Sequence, residues 1–465
     1  MKSIALTVAA CAALAATAAS GNANAGLPFK SARAAYSAFT STTNVALRAA
    51  AYKHVKADIA ARQGAAACDA LGWLRKMARS LGKPGEDCFP ECETLAASTN
   101  TAVRMAALAW MCDVAKGWEA DRAAALVDGW LARVGGDVAA SAFLLCRRME
   151  MRRKAGDMSG ADDAAAAVMS FGAKAPWAHY SQACFFRAGT LARRGDVLAA
   201  EDMLARLLDR DEVASPGVAR RILSIGAGRE LVQRFIDAMR ERVSGVPFGE
   251  VAAFKARAQT AGAEVVELLV HLGLLDEALG ECRVMLLTAG APSSYGGAVR
   301  LTADVLKRID GNLGRASAFL EAQKTNHVAA AVAPVPAHPQ LSDPVRRAER
   351  EKCLAYAREN ASDWNAQLLC AHRLLWADCA EDSIRVALDA FAVAPFAEKS
   401  LQMCANAAMH PVSVITRDPA KVAAVRDYLL YGGSGRDGVA GTGDDLPHPV
   451  ELYRSCVRGA TAGTR

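Results

Sequence analysis

The glycine- and aspartate-rich segment from Gly435 to Asp445 holds the side chains best suited to binding an ion. Calcium takes several oxygen ligands, and glycine lets the backbone wrap around the ion so that carbonyl oxygens join the carboxylates. The pattern therefore predicts a calcium site with ligands from four oxygen-bearing residues, Asp437, Thr442, Asp444 and Asp445. The alternative is a simple turn in which the aspartates bond their own backbone.

Thirteen cysteines make sulfur chemistry the second option. Twelve of them follow Cys11, and in an oxidising compartment they could form up to six disulfides. The strongest candidates are Cys88 and Cys92, which lie in a predicted loop and could pair with each other, with Cys68 or with Cys112. The pairing stays open, and the alternative is that most cysteines are small buried core residues. A zinc site is disfavoured because the C-x3-C spacing has no second Cys or His pair at ligand spacing.

Local motifs of enzyme chemistry are missing from the sequence. The eight histidines are scattered without an H-E-x-x-H zinc motif, and neither a G-x-S-x-G elbow nor a G-x-x-x-x-G-K-[ST] phosphate loop occurs. Most of the seven tryptophans are expected in the core, with stacking on sugars as the alternative. We therefore predict no catalytic residue and no cofactor except calcium, while a site assembled from distant helices stays open.

The charge pattern argues against a nucleic-acid partner, because the net charge is only +6 and acidic and basic residues are interspersed. The densest basic cluster comprises Arg147, Arg148, Arg152, Arg153 and Lys154. One interpretation is a groove for an acidic polymer. The interpretation that we favour is a solvated helix face whose long side chains cover apolar surface.

The elements that must position these residues are helices. The chain is rich in alanine and only 6% aromatic, and apolar residues recur at three- and four-residue spacing. Short breaks at Gly, Asp or Pro favour antiparallel neighbours. We therefore predict an all-α helical-hairpin array with a helical repeat domain at 26–325, a Pro/Ala linker at 326–343, C-terminal helical repeats at 344–431, a Gly/Asp-rich loop at 432–449 and a tail at 450–465. Within the C-terminal part, helices are predicted at 344–359, 363–377, 380–393, 397–409 and 418–431.

A Gly-x4-Ala pattern recurs at the predicted turns between paired helices. The interval between successive glycines is nearly constant, except that one interval is twice as long as the others, as if an intermediate unit were degenerate. Glycine suits the left-handed turn at a helix end, and alanine lets the second helix approach the first closely. The pairs are Gly156 with Ala161, Gly195 with Ala200, Gly273 with Ala278, and Gly311 with Ala316.

This pattern resembles the tetratricopeptide repeat, whose hairpin has Gly and Ala at the same offset. The resemblance covers residues 140–325 and is closest around Gly195 and Gly273. Two features depart from the family: Arg152 and Lys307 stand where it prefers apolar or aromatic residues, and the repeat interval is longer than the family's period. The resemblance implies an α-solenoid and a binding role.

The N-terminus has the pattern of a secretory signal peptide over residues 1–25. Lys2 is followed by a run of apolar and small residues, and Ala23-Asn24-Ala25 is typical of a cleavage site. A lipoprotein signal ending at Cys11 and a membrane anchor are weaker alternatives, because the apolar stretches are short. We predict cleavage after Ala25, a periplasmic or extracellular location and no transmembrane anchor in the mature chain.

Together these features predict a secreted or periplasmic helical-repeat scaffold that binds protein or peptide partners. The alternatives are a secreted α/α-helical enzyme acting on a polysaccharide and a calcium-dependent cell-surface module. A deep cavity that combines His with carboxylates would favour the enzyme, whereas an open groove would favour the scaffold.

Overall fold

The computed structural model describes residues 29–59, 64–289, 292–310, 316–317, 319–320, 343–415 and 418–462. The predicted signal peptide, the turn at Gly311 and all but the last residue of the predicted linker lie outside these residues. Throughout the described ranges the regular structure is helical, with 21 α-helices that pack largely in consecutive pairs. This confirms the predicted all-α helical-hairpin array.

The described residues divide into two compact units, one ending at Arg187 and the other beginning at Ala188. The sequence-based boundary at 326–343 does not coincide with this division. The helices of the first unit are α1 (Ala32–Ser41), α2 (Val45–Ile59), α3 (Ala65–Ser80), α4 (Phe89–Ala96), α5 (Thr101–Ala115), α6 (Ala120–Arg133), α7 (Val138–Lys154), α8 (Met158–Ser170) and most of α9 (Trp177–Arg193).

The core of the first unit follows from the apolar stripes of these helices. Leu71, Leu74 and Met77 on α3 recur at three-residue spacing and are buried. Trp110 on α5 and Trp130 on α6 are buried in the same cluster, while Trp73 and Trp118 pack against it. Burying each such side chain stabilises the fold by about 1.5–3 kcal/mol.

The second unit contains twelve further helices in the described ranges. They are α10 (Val197–Ala205), α11 (Val218–Ile225), α12 (Arg229–Ser244), α13 (Val251–His271), α14 (Leu275–Thr288), α15 (Pro292–Asp310), α16 (Pro344–Glu359), α17 (Trp364–Trp376), α18 (Ala380–Val393), α19 (Glu398–Ile415), α20 (Pro419–Tyr431) and α21 (Pro449–Ala462).

Three of the glycines in the Gly-x4-Ala pattern lie at turns between paired helices. Gly156, Gly195 and Gly273 have φ values of 80°, 83° and 75°, in the left-handed region that favours glycine. Each turn is closed by a backbone bond in which the residue after glycine donates to a carbonyl five residues before it. The matching alanines, Ala161, Ala200 and Ala278, are buried between the paired helices.

The turn between α17 and α18 has the same geometry but a different sequence. Asp378 adopts φ 60°, and the amide of Cys379 donates to the carbonyl oxygen of Leu374 over 2.9 Å. Asp378 therefore occupies the glycine position, and Ser383 occupies the alanine position. The Ser383 hydroxyl donates to the carbonyl oxygen of Ala371, which ties the second helix to the first.

Buried ion pairs join the helices on either side of the 326–343 segment. Arg240 on α12 lies 3.1 Å from Glu281 on α14, and Arg346 on α16 lies 2.7 Å from the same carboxylate. Arg240 also pairs with Asp343 at 2.8 Å. Burial alone would raise the pKa of Glu281, but Arg346 and Arg240 hold it below its ordinary value. Helices α16 onward thus belong to the same packed unit as α12 to α14.

The C-terminal helices begin and end within a few residues of the predicted positions, with one larger difference. The helix predicted at 397–409 does not end there but continues, as α19, through Pro411 to Ile415. Proline removes one backbone donor, which usually ends a helix. Here Val412, Val414 and Ile415 are buried beyond it, and their packing keeps the chain helical.

None of the described helices combines the length and the apolar character that crossing a bilayer requires.

Candidate functional site

The predicted calcium ligands lie together in one exposed turn. The Asp444 carboxylate accepts hydrogen bonds from the backbone amides of Arg436, at 2.8 Å, and Asp437, at 3.2 Å, and from the Thr442 hydroxyl, at 2.7 Å. These bonds, led by that of Thr442, hold the pKa of Asp444 below its ordinary value. Asp437 and Asp445 likewise accept bonds from backbone amides of the loop. The side chains thus bond their own loop, as the alternative interpretation expects.

Across the described ranges, no three His, Cys, Asp or Glu side chains are grouped so that they could hold one metal ion. A calcium site at Asp437, Thr442, Asp444 and Asp445 would therefore need backbone carbonyls as further ligands. The calcium site stays a prediction.

The candidate disulfide residues are present as thiols. Cys88, Cys92 and Cys112 are buried and Cys68 is partly buried, as free cysteines. Burial raises the pKa of Cys88 to about 11 and that of Cys112 to about 12, so thiolate chemistry at neutral pH is disfavoured. The Sγ of Cys88 lies 3.0 Å from the Tyr52 hydroxyl. The disulfides, too, stay a prediction.

The basic cluster on α7 is largely paired with carboxylates. Arg147 lies 2.9 Å from Glu150, and Arg148 lies 3.2 Å from Asp128. Arg152 lies beside the turn, 3.3 Å from Asp157. The remaining two basic residues, Arg153 and Lys154, are exposed at the end of the helix. Three paired charges and two that face solvent favour the solvated helix face over a groove for an acidic polymer.

A cavity in the second unit brings together titratable residues that the sequence analysis did not connect. It has a volume of about 250 Å³ and lies among α13, α14, α17, α18 and α19. We call it the Lys255 cavity. Its lining residues are Phe254, Lys255, Leu287, Thr288, Ala289, Leu368, Ala371, His372, Leu375, Ser383, Met403, Asn406, Ala407 and His410.

Helical spacing explains how α17 and α19 each form one wall of the Lys255 cavity. Leu368, Ala371, His372 and Leu375 fall on one face of α17 at three- and four-residue intervals. Met403, Asn406, Ala407 and His410 do the same on α19. Each face is mostly apolar but places one histidine toward the cavity.

The titratable groups of the cavity all favour their neutral forms more than usual. Burial, with a smaller contribution from the positive charge of Lys255, lowers the pKa of His372 to about 3. Burial also lowers the pKa of His410 and that of Lys255. Both imidazoles are therefore neutral at pH 7, and of the lining residues that the structure describes Lys255 alone carries a formal positive charge.

Several polar lining groups already have partners. The Ser383 hydroxyl donates to Ala371, and the Thr288 hydroxyl donates to Val284 over 2.8 Å. His410 contacts the Leu287 carbonyl oxygen through Nε2 at 2.7 Å, so this nitrogen carries the proton. By contrast, no described residue hydrogen-bonds to or pairs with the side chains of Lys255, His372 or Asn406.

Among the described residues that line the Lys255 cavity there is no Asp or Glu. An ammonium group, a neutral imidazole and an amide can all donate hydrogen bonds to an anion. The cavity is therefore suited to binding a small anionic group. Sequence reasoning missed it because Lys255, His372 and His410 lie far apart in the chain. The one signal in the sequence was a histidine on the mostly apolar face of each of two helices, α17 and α19.

Comparison of the chain with models of known protein families and with curated proteins finds no match.

Proposed function

We propose that this protein is a periplasmic or extracellular helical-repeat scaffold that binds a protein or peptide partner. Support for the location comes from the signal-peptide pattern of residues 1–25. Support for the binding role comes from the helical-hairpin array, since such arrays offer long surfaces for partners.

The observation that carries the binding role is an exposed aromatic residue close to a groove. A groove of about 650 Å³ lies between α16 and α18, with Leu354 and Ala357 on one side and Val386 and Val393 on the other. Phe396 follows three residues after Val393 and is fully exposed, at 101% of its reference area. Aromatic residues, Phe among them, are enriched in the cores of protein interfaces, so Phe396 beside this groove is the residue that we assign as the partner's anchor point.

The enzyme alternative finds less support in the geometry. Glycoside hydrolysis generally uses two carboxylates that flank the bond to be cleaved. The Lys255 cavity contains two histidines, but none of its described lining residues is acidic. The cavity therefore favours binding over this hydrolysis.

The proposal is tested by capturing partners from an envelope extract on immobilised wild type, Phe396→Ser and Leu198→Ser. Leu198 is also exposed, at 77%, but lies on α10, and it is the matched control. We expect one saturable protein partner that Leu198→Ser retains and that Phe396→Ser loses by about tenfold in affinity. A partner bound equally by all three proteins would show that the α16–α18 groove is not the binding surface. Finding no partner would contradict the scaffold function.

A further inference from the structure

We propose that the Lys255 cavity binds a single carboxylate group with a small apolar tail, and that the carboxylate faces Lys255, His372 and Asn406. This inference goes beyond partner binding and does not require it. The carboxylate could belong to a free organic acid or to the C-terminus of a peptide, and the experiment below separates the two sources.

The charge of the cavity is the first step of the argument. The ammonium of Lys255 is partly buried, and none of the described carboxylates pairs with it. Other buried cations in the second unit have partners, as Arg240 does in Glu281 and Asp343. A partly buried charge has lost part of its hydration, and an anion bound in the cavity would supply the counter-charge that the described residues do not.

The hydrogen-bonding groups are the second step. The hydroxyls of Ser383 and Thr288 and the Nε2 proton of His410 are already engaged by backbone carbonyls. The donors left for a ligand are those of Lys255 and His372, which are partly buried, and of Asn406, which is exposed; they come from three different helices. A carboxylate has two oxygens with about four acceptor positions, which is enough for three donors.

Size and polarity are the third step. The rest of the wall is mainly apolar and includes Phe254, Leu287, Leu368 and Leu375. An apolar cavity of about 150 Å³ is large enough for benzene. The 250 Å³ of the Lys255 cavity therefore suit an acid with one aromatic ring or a short alkyl chain.

The test is calorimetric titration of the full mature chain with benzoate, hexanoate and the neutral analogue benzamide. A second arm uses a tripeptide ending in phenylalanine, with a free or an amidated C-terminus. The variant is Lys255→Met, which keeps the length of the side chain and removes its charge. The control is Lys399→Met, at an exposed lysine on α19.

We expect benzoate or hexanoate to bind at least about tenfold more tightly than benzamide. Lys255→Met should lose at least about tenfold in affinity, while Lys399→Met should stay within about twofold of the wild type. Lys255→Met should also melt at a higher temperature without ligand, because it removes a partly buried charge that no described carboxylate pairs with. This second readout separates loss of the site from loss of the fold.

Lys255-dependent binding of a free acid identifies a small organic acid as the ligand. If only the peptide with a free C-terminus binds, and does so through Lys255, the source is a peptide terminus. The proposal is overturned if neither binds up to about 10 mM, if benzamide binds as tightly as benzoate, or if Lys255→Met binds as the wild type does. Because the capture experiment depends on Phe396, failure of one proposal leaves the other testable.

Discussion

Asp378 combines a left-handed backbone with a buried ion pair. Its carboxylate accepts from Arg283 Nε over 3.0 Å and from a second guanidinium nitrogen of the same residue, and both residues are buried. Asparagine tolerates positive φ about as well as aspartate but lacks the charge. We therefore expect Asp378→Asn to remove the negative charge that Asp378 places against buried Arg283 and to destabilise the protein by about 3 kcal/mol.

Urea unfolding followed by circular dichroism measures this loss. Asp389→Asn is the control, because Asp389 is exposed on the neighbouring α18 and should change stability by less than about 0.5 kcal/mol. Equal stability of the two variants would show that the Arg283 pair contributes little.

The two histidines of the Lys255 cavity predict a loss of stability in acid. The unfolded chain binds a proton at each histidine below about pH 6.5, whereas burial keeps the folded histidines neutral, His372 down to about pH 3. Above pH 6.5 these histidines therefore do not lower the free energy of unfolding. Below that pH the free energy of unfolding falls, because only the unfolded chain takes up the protons. Between pH 6.5 and 3, His372 reduces the free energy of unfolding by about 1.4 kcal/mol per pH unit, and His410 acts in the same direction.

Unfolding of wild type and His372→Gln between pH 7 and 4.5 tests this expectation. The wild type should lose about 2.5 kcal/mol more than the variant, because only the wild type takes up a proton at position 372 on unfolding. His271→Gln, at an exposed histidine, should follow the wild type. Parallel curves for wild type and His372→Gln would contradict the buried neutral histidine.

For single residues, the sequence indicated which side chains could do chemistry but not which side chains they contact in the fold. The Gly/Asp-rich loop was identifiable because its residues are adjacent in the chain. The side chains of Lys255, His372 and His410 meet only through the packing of α13, α17 and α19. Asp378 was not recognisable as a turn residue, because glycine normally occupies that conformation.

The turns between paired helices require glycine because of their positive φ angles, and not because a side chain would clash there. Gly195 has φ 83°, and a Cβ added there would contact nothing within 4 Å. Gly195→Ala should therefore destabilise the hairpin by about 1–2 kcal/mol through strain and not through a clash. Gly129 lies inside α6 and also has open space around it, so Gly129→Ala should stabilise by about 0.5–1 kcal/mol. Thermal melting compares the two, and shifts of the same sign would contradict this account.

The Gly/Asp-rich loop is the second element that can be tested by itself. If it binds calcium, millimolar calcium should raise the melting temperature of the wild type and leave the double variant Asp437→Ala/Asp444→Ala unchanged. If calcium moves neither melting curve, the loop is held by its internal hydrogen bonds, such as that from Thr442 to Asp444.

Most of the helices were predictable, since alanine-rich apolar stripes and N-terminal aspartates define them locally. Asp157, Asp196 and Asp363 each cap the helix that follows by accepting a backbone bond. The continuation of α19 past Pro411 was not predictable from the sequence, because it depends on the burial of Val412, Val414 and Ile415.

On the scale of the whole molecule, the second unit depends on charges that α14 shares with α12 and α16. Glu281 is the common partner of Arg240 and Arg346. We expect Glu281→Gln to destabilise this unit by about 3 kcal/mol, because two buried guanidinium groups then share Asp343 as their one remaining described counter-charge. Hydrogen exchange measured by mass spectrometry should show faster exchange in α12, α14 and α16 and unchanged exchange in α3 and α5. Faster exchange in both units would contradict the expectation that the core of the first unit does not depend on Glu281.

The division into units could not be predicted from composition. The proline-rich segment has the composition of a domain linker, yet buried ion pairs connect the helices on both sides of it. Ion pairs between residues 65 and 95 positions apart leave no local pattern in the sequence.

These long-range pairs also constrain the order in which the protein can fold during synthesis. Helices α12 to α14 leave the ribosome well before Arg346, the second partner of Glu281 after Arg240, and before Asp378, which pairs with Arg283. Until then the nascent chain carries charged side chains that water must still solvate, so this part stays open while the first unit can already close around its own core. A premature stop between α15 and α16 would leave a chain whose first unit is complete and whose second is exposed to proteases.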